Sequence, residues 1–192
     1  NCDSVELFLN DVSFGEQVLR FPRYGLDPSK GWGEQDWSSF VRPTTADLHM
    51  HWTVPYAPGV LKAVGKRAGE AVCVQEIVTA GPAAQIELLV DRETIVADGR
   101  DVAHLTVQIH DAQGNFVPNA GNRVTFDVQG PARLIGVDNG NPVCHESFQS
   151  SKRRVFNGLC LAIVQSTTTP GIVTVTATAQ GLVEAHVTFE VC

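Results

Sequence analysis

An all-β fold of antiparallel β-sandwiches is predicted from three properties of the sequence. Apolar and polar residues alternate with a period of two in several segments rich in Val, Ile and Thr, which is typical of half-buried strands. The 3.6-residue period of amphipathic helices is almost absent, so crossover helices between parallel strands are not expected. Short turn sequences separate the alternating segments, and this pattern favours antiparallel sandwiches.

The first half of the chain predicts a hairpin followed by further strands. Residues 5–9 form the first strand, Asn10-Asp11 the tight turn and residues 12–21 the returning strand. Further strands are predicted at 47–53, 60–65 and 71–79, with turns at Pro58-Gly59 and Ala68-Gly69.

The dipeptide Gly81-Pro82 marks the predicted domain boundary, because proline cannot donate a hydrogen bond to a continuing strand ladder. The domains are therefore 1–81 and 82–192. The second has the length of one immunoglobulin-like sandwich, and the first is short for one, so we expect it to be incomplete on its N-terminal side. Six strands are predicted after the boundary: 86–90, 102–110, 123–128, 159–165, 172–179 and 183–191.

Composition excludes several classes of function. Fourteen Lys and Arg against 21 Asp and Glu give a net charge of −7, which would repel a phosphate backbone, so no nucleic-acid partner is expected. No apolar run approaches the roughly 20 residues that span a bilayer. No Cys-x-x-Cys pair occurs among the five cysteines, so no metal site through sulfur is expected. Cys73 and Cys160 lie in apolar runs and are predicted to be buried thiols, while Cys2–Cys73 and Cys144–Cys160 bridges remain open alternatives.

A first resemblance is limited to the second half. Its motifs are similar to those of invasin-type bacterial immunoglobulin-like domains, with an Asp-Gly turn, an Asp-x-x-Gly-Asn hairpin closure and a proline that ends the hairpin. The segments are 97–101, 107–115, 117–120 and 124–128.

A longer resemblance covers nearly the whole chain. Segments 4–10, 21–27, 52–59, 61–65, 136–142, 145–148 and 155–158 together resemble the C-terminal region of a bacterial β-galactosidase of glycoside hydrolase family 2. The resemblance implies a retaining hydrolase whose two catalytic glutamates lie on a barrel upstream of residue 1. The chain departs from the family at Asp11-Val12, where a glycine is frequent, and it contains neither the start of the first sandwich nor the barrel.

No catalytic residues are predicted within the chain. The acidic pairs Glu34/Asp36, Asp98/Asp101 and Asp138/Glu146 lie in polar, turn-like stretches and are interpreted as solvated turn carboxylates. His49 and His51, on one face of a predicted strand, lack a third metal ligand. We interpret 138–141 as a turn rather than a calcium loop, and 152–154, the only basic run, as a solvated loop or a salt contact with a neighbouring domain.

The segment 23–43 is the most unusual stretch, because about twenty residues without a regular pattern are long for a connection inside a domain. Three roles remain open for its aromatic residues: docking onto another domain or subunit, packing over the sandwich, or contact with carbohydrate. Trp52, by contrast, is predicted to lie in the core. The candidate contact residues are Tyr24, Trp32, Trp37 and Phe40.

The resemblance therefore implies two immunoglobulin-like sandwiches that form a non-catalytic C-terminal accessory region of a family 2 β-galactosidase. Its expected roles are docking against the barrel, contacts between subunits and bordering of the sugar site. Its expected partners are the catalytic barrel and other domains of the same polypeptide, with homo-oligomer contacts and carbohydrate as further candidates. No cofactor or metal is expected, and the expected location is periplasmic or secreted. The alternative is a carbohydrate-binding or adhesion module of a secreted bacterial protein.

Overall fold

The computed structural model describes residues 2–18 and 49–192 and divides the chain into two compact units, Asn1–Thr79 (unit 1) and Ala80–Cys192 (unit 2). In these described residues there are thirteen strands and no helix, which confirms the all-β prediction. Accordingly, residues 2–18 and 49–192 provide no helix with the length and apolarity that a membrane crossing requires.

The described part of unit 1 is one antiparallel sheet with the strand order β2-β1-β3-β4. Both of its hairpins turn through two residues with positive φ, 51° and 63° at Asn10 and Asp11 and 51° and 84° at Ala68 and Gly69. Such turns match the right-handed twist of the flanking strands. The strands are β1 (Ser4–Leu9), β2 (Val12–Val18), β3 (Val60–Arg67) and β4 (Glu70–Val78).

The prediction of a strand at 47–53 is wrong for its described part, because residues 49–53 join no ladder. Instead, this segment contacts β2 through side chains. Gln17 donates a hydrogen bond to the carbonyl of His51 at 2.7 Å, and Trp52 Nε1 donates to the carbonyl of Gly15 at 3.1 Å. Trp52 is consequently half-buried and not a core residue.

Strand β4 is exposed along its whole length. The prediction that Cys73 is buried is therefore wrong: this thiol is exposed. The reason is positional, since β4 ends the described sheet and its apolar residues are not covered there. Strand β3, between β1 and β4, is partly buried.

Unit 2 is a sandwich of two sheets, with the strand orders β5-β7-β11-β9 and β10-β8-β12-β13-β6. All pairs are antiparallel except β13 with β6. When the main strands are lettered A to G along the chain, the sheet β5-β7-β11-β9 has the order A-B-E-D of the immunoglobulin fold. The strands β8, β12 and β13 then correspond to C, F and G. The strands are β5 (Ala83–Val90), β6 (Thr94–Ile95), β7 (Val102–Asp111), β8 (Arg123–Gln129), β9 (Ala132–Asp138), β10 (Lys152–Arg154), β11 (Leu159–Ser166), β12 (Gly171–Ala179) and β13 (Ala185–Val191).

The core of unit 2 lies between these sheets and is built by alternation along the central strands. Every second residue of β7 is buried, including Leu105, and β11 and β12 follow the same pattern. Cys160 of β11 is buried here, as predicted, and burial raises the pKa of its thiol to about 12. A thiol with that pKa is protonated and unreactive at neutral pH.

Three strands of unit 2 were absent from the sequence prediction, each for a different reason. Strand β6 has only two residues and depends on its pairing with β13. Strand β9 contains Gly136 and an irregularity in its register with β11, which interrupts the alternation. Strand β10 is made of three basic residues, Lys152–Arg154, and pairs with β8.

Candidate functional site

The candidate site is the connection between β9 and β10, residues 139–151, together with the buried arginine that anchors it. Strand β10 pairs with β8 so that Arg153 lies opposite Val124. Because side chains alternate across a strand, Lys152 and Arg154 are exposed while Arg153 is completely buried. The interpretation of 152–154 as a solvated loop or an interdomain salt contact is therefore wrong for Arg153, whose described contacts lie within unit 2.

Arg153 binds residues from both ends of the connection. Its Nη1 donates to the carbonyl of Glu146 at 2.9 Å, and its Nη2 donates to Asp138 Oδ1 at 3.0 Å and to Asn139 Oδ1 at 3.4 Å. Its guanidinium carbon lies 4.9 Å from the centroid of the Phe148 ring, which is a cation–π contact. We call these five residues, Asp138, Asn139, Glu146, Phe148 and Arg153, the Arg153 cluster.

Glu146 connects two strands through its carboxylate. Its Oε1 accepts from Arg123 Nη2 of β8 at 2.9 Å, and its Oε2 accepts from the backbone N–H of Arg154 in β10 at 2.9 Å. The Arg154 N–H, followed by the Arg123 guanidinium, lowers the pKa of this carboxyl despite partial desolvation. Glu146 is therefore an ionised acceptor that closes the edge of the sheet.

The side-chain oxygens of the turn at 138–141 accept hydrogen bonds from the turn's own backbone as well as from Arg153. Asp138 Oδ1 accepts from the backbone N–H of Asn139 at 2.6 Å, and Asn139 Oδ1 accepts from that of Asn141 at 3.1 Å. Asp138 Oδ1 also accepts from the backbone N–H of Gly140 at 3.2 Å, and this contact and the Asn139–Asn141 contact are Asx-type, since each side chain binds the backbone two residues on. The Asn139 N–H is the main cause of the lowered pKa of Asp138, so its carboxyl is a structural acceptor as well.

The acidic pair Asp98 and Asp101 has the same character. Asp98 Oδ1 accepts from the backbone N–H groups of Arg100 and Asp101, both at 2.8 Å, and these bonds lower its pKa. A glycosidase acid/base needs the opposite, a carboxyl whose pKa is raised. The pairs Asp98/Asp101 and Asp138/Glu146 thus accept hydrogen bonds from the backbone of nearby turns and strands. The third pair, Glu34 and Asp36, lies outside the described residues.

Two large apolar side chains are exposed on the 139–151 connection, among exposed polar residues such as His145 and Gln149. Val143 is 73% exposed and Phe148 is 59% exposed, although Phe148 also packs on Arg153. The network beneath them restrains the loop, so these side chains are presented by a fixed backbone. Chemically the arrangement is suited to contact with another surface, since rigid apolar groups lose little conformational entropy on binding.

The residues predicted from the aromatic segment are not part of this site. Tyr24, Trp32, Trp37 and Phe40 lie outside the described residues. His49 and His51 are described, with ring centroids 6.0 Å apart. No group of three or more His, Cys, Asp or Glu side chains with the spacing of a metal site occurs in residues 2–18 and 49–192.

Sequence reasoning missed Arg153, but a signal was present. Val155, two residues after Arg153, is an apolar residue that is buried. Because alternate side chains of a strand point to the same face, Arg153 is expected on the same inner face as Val155. The family-like segments 136–142, 145–148 and 155–158 surround this arginine in sequence. The structure shows that residues of the first two, together with Arg153, form one hydrogen-bonded cluster.

A family model described as Glycoside hydrolase family 2 C-terminal domain 5 matches residues 86–188, more than half of the chain. The chain belongs to this family. A second model, described as Domain of unknown function (DUF4982), matches residues 1–73. The resemblance to the C-terminal region of family 2 glycoside hydrolases is thereby confirmed.

Individual relatives agree with this assignment. The chain is 39% identical over 183 residues to the β-galactosidase BoGH2A of Bacteroides ovatus, covering 95% of this chain and 19% of that protein. It is 28% identical over 159 residues to a putative β-glucuronidase of Formosa agariphila, covering 82% of this chain and 13% of that protein. A solved family 2 member from Bacteroides cellulosilyticus superimposes with a TM-score of 0.80 at 33% identity, covering 98% of this chain and 23% of that structure. The chain thus spans about a fifth of the length of such relatives.

Proposed function

We propose that unit 2 is a non-catalytic docking domain of a family 2 glycosidase, and that the 139–151 connection contacts another domain of the same polypeptide. The proposal rests on two exposed apolar side chains, Val143 and Phe148, on a loop that is held from beneath by the hydrogen bonds of Arg153.

The proposed occupant is the catalytic barrel or a domain adjoining it. Support comes from the relatives, in which the matched region makes up only 13% to 23% of a longer chain. Most of such a polypeptide is therefore available to cover the connection. We further propose that the parent activity is hydrolysis of terminal β-galactosides, because the relative at 39% identity is a β-galactosidase; β-glucuronide hydrolysis is the competing assignment.

The proposed docking is tested by placing a charge on the exposed surface. In the full-length enzyme, Val143→Asp is expected to lower the melting temperature of the assembled protein and to speed its proteolysis, because a buried, unpaired carboxylate is costly at an interface. The matched control is Val183→Asp, since the Val183 side chain is 67% exposed although its backbone bridges to β5. Equal behaviour of the two variants would contradict docking through the 139–151 connection.

The substrate assignment requires a separate assay. Hydrolysis of chromogenic β-galactosides and β-glucuronides by the full-length enzyme is expected to favour the galactoside. The 192-residue chain alone is expected to hydrolyse neither. Activity of the chain alone, removed by a single carboxylate substitution, would contradict its accessory role.

Contacts with carbohydrate, contacts in a homo-oligomer and a periplasmic or secreted location stay predictions. A glycan-binding role predicts saturable binding to a glycan array that is lost in Trp32→Ala or Trp37→Ala. Binding of that kind would favour the alternative, a carbohydrate-binding or adhesion module.

A further inference from the structure

Two cysteines of unit 1 meet above a glycine of the strand between them. The sulfur atoms of Cys2 and Cys73 lie 3.4 Å apart, although 71 positions separate the two residues in sequence. Cys73 belongs to β4, and its register partner on β3 is Gly65. Cys2 lies just before β1, which pairs with the other edge of β3.

Gly65 provides the space in which the sulfurs meet. A Cβ atom at this position would lie 2.5 Å from the sulfur of Cys2 and 2.5 Å from the sulfur of Cys73. The backbone does not require glycine here, because Gly65 is not among the residues with positive φ. The missing side chain therefore matters for the two cysteines, since any other residue would hold them apart.

We propose that Cys2 and Cys73 form a disulfide across β3 in an oxidising environment. Shortening the sulfur–sulfur distance to the roughly 2.05 Å of a disulfide needs an approach of about 1.4 Å. Cys2 precedes both β1 and the Asp3 N–H that donates to the Lys66 carbonyl at 2.8 Å, so its side chain can move without breaking that bond. Cys73 is exposed, so an oxidant can reach it. The remaining cysteines are far in sequence, at positions 144, 160 and 192 in unit 2.

The oxidant is a small-molecule or protein disulfide, and the reaction is thiol–disulfide exchange. The Cys73 thiolate attacks one sulfur of the oxidant and releases its first thiolate, which leaves a mixed disulfide. The Cys2 thiolate then attacks the Cys73 sulfur and releases the second thiolate. Two cysteine thiols are oxidised, one oxidant disulfide is reduced to two thiols, and the two cysteine protons pass to the released thiolates.

The consequence is a cross-link between the edge strand and the segment before β1. A disulfide that closes a long loop restricts the unfolded chain and stabilises the fold, with typical values that correspond to a rise of roughly 8–30 °C in the melting temperature of a small domain. The disulfide would also fasten β4, whose side chains are all exposed. This inference concerns unit 1 and does not depend on the docking function proposed for unit 2.

The bond can be mapped directly. The reduced protein is freed of reductant, incubated with oxidised glutathione at pH 8.5, alkylated and digested with trypsin. The slightly basic pH is chosen because the contact with Cys73 raises the pKa of the Cys2 thiol. Tryptic peptides 1–20 and 68–92 each contain one cysteine, so a linked pair of these peptides in the unreduced digest identifies the bond. We expect this linked pair and a fall from five titratable thiols to three.

Two variants and their matched controls test whether the bond depends on the contact between the two sulfurs or forms by unspecific oxidation. Cys73→Ser should abolish both the linked peptides and the rise in melting temperature, whereas Cys144→Ser should leave both intact. Gly65→Ala should reduce the yield of the bond at least tenfold, because its methyl group lies between the sulfurs. The control for Gly65→Ala is Gly136→Ala, because an added Cβ at Gly136 would lie 3.7 Å from its nearest neighbouring atom, which is an ordinary contact distance.

The proposal is overturned if the wild-type protein keeps five thiols, carries glutathione separately on Cys2 and Cys73, or links Cys73 to another cysteine. An unchanged melting temperature on oxidation would overturn the stabilising role. Because the wild-type peptides decide the first question, the result does not depend on the folding of the Gly65→Ala variant.

Discussion

Unit 1 and unit 2 are both antiparallel β-structures, but different interactions stabilise them. In unit 2, two sheets face each other and bury apolar side chains on every central strand. In the described part of unit 1, Leu7 is the only buried large apolar side chain, and an ionic network joins the strands instead. Similar strand pairing is therefore compatible with very different amounts of apolar burial.

The largest expected contrast is between two apolar strand residues. Leu105→Ala in β7 should lower the free energy of unfolding by about 2–5 kcal/mol, because Leu105 is fully buried and a cavity would remain. Ile77→Ala in β4 should change it by less than about 0.5 kcal/mol, because Ile77 is 65% exposed. Urea unfolding of both variants measures the contrast. Equal losses would show that the outer face of β4 is covered by another part of the protein.

Arg153 is a polar exception within the apolar core of unit 2, because its side chain is completely buried. Arg153→Met should cost about 2–3 kcal/mol of stability, because three charge-assisted hydrogen bonds are lost while Asp138 remains partly exposed to water. The stability of Arg153→Lys should lie between that of Arg153→Met and that of the wild type, since an ammonium keeps the charge but cannot reproduce the planar contacts of a guanidinium. Thermal unfolding of the three proteins measures this order of stabilities. An Arg153→Met variant as stable as the wild type, or more stable, would contradict the prediction.

Acid should destabilise unit 2 through Asp111. The backbone N–H of Gly81 is the first of several donors that lower the pKa of this buried carboxyl from 3.8 to about 2. Because the folded state holds the proton less tightly than the unfolded state, this contribution to stability is complete above about pH 4 and is lost as the pH falls towards 2. Melting temperatures measured from pH 5 to 2 should fall, and Asp111→Asn should show a shallower slope. An unchanged slope in the variant would contradict this assignment.

The smallest effect is expected for the ionic network of unit 1. Lys66 Nζ lies 2.7 Å from carboxylate oxygens of both Glu6 and Glu16, and it lowers the pKa of both carboxyls. Lys66→Met should lower the melting temperature slightly at low salt and hardly at all in 1 M salt, because partly exposed charges are screened. Lys62→Met is the control, since its partner Asp11 is almost fully exposed. A large, salt-independent loss would mean that Lys66 acts mainly through packing.

Much of the fold was predictable because its signals are local. The tight turn predicted at Asn10-Asp11 forms, with positive φ at both residues. The Asp-x-x-Gly-Asn closure at 111–115 forms through Asp111, whose oxygens accept from Gln113 and Asn115. These contacts involve residues at most four apart, so the sequence contains everything they need. Arg153 was harder, because its partners lie 7 to 15 residues away and its three-residue strand depends on β8.

Strands β4 and β7 illustrate where local information ends. Both contain apolar residues in a β-strand pattern, and the identity of each as a strand follows from that pattern because successive side chains point to opposite faces. Their burial is opposite, since β7 is central in a sheet that packs against a second sheet, while β4 ends the described sheet of unit 1. Local backbone geometry thus sets the faces of a strand, whereas the neighbours brought together by the folded chain set which faces leave water.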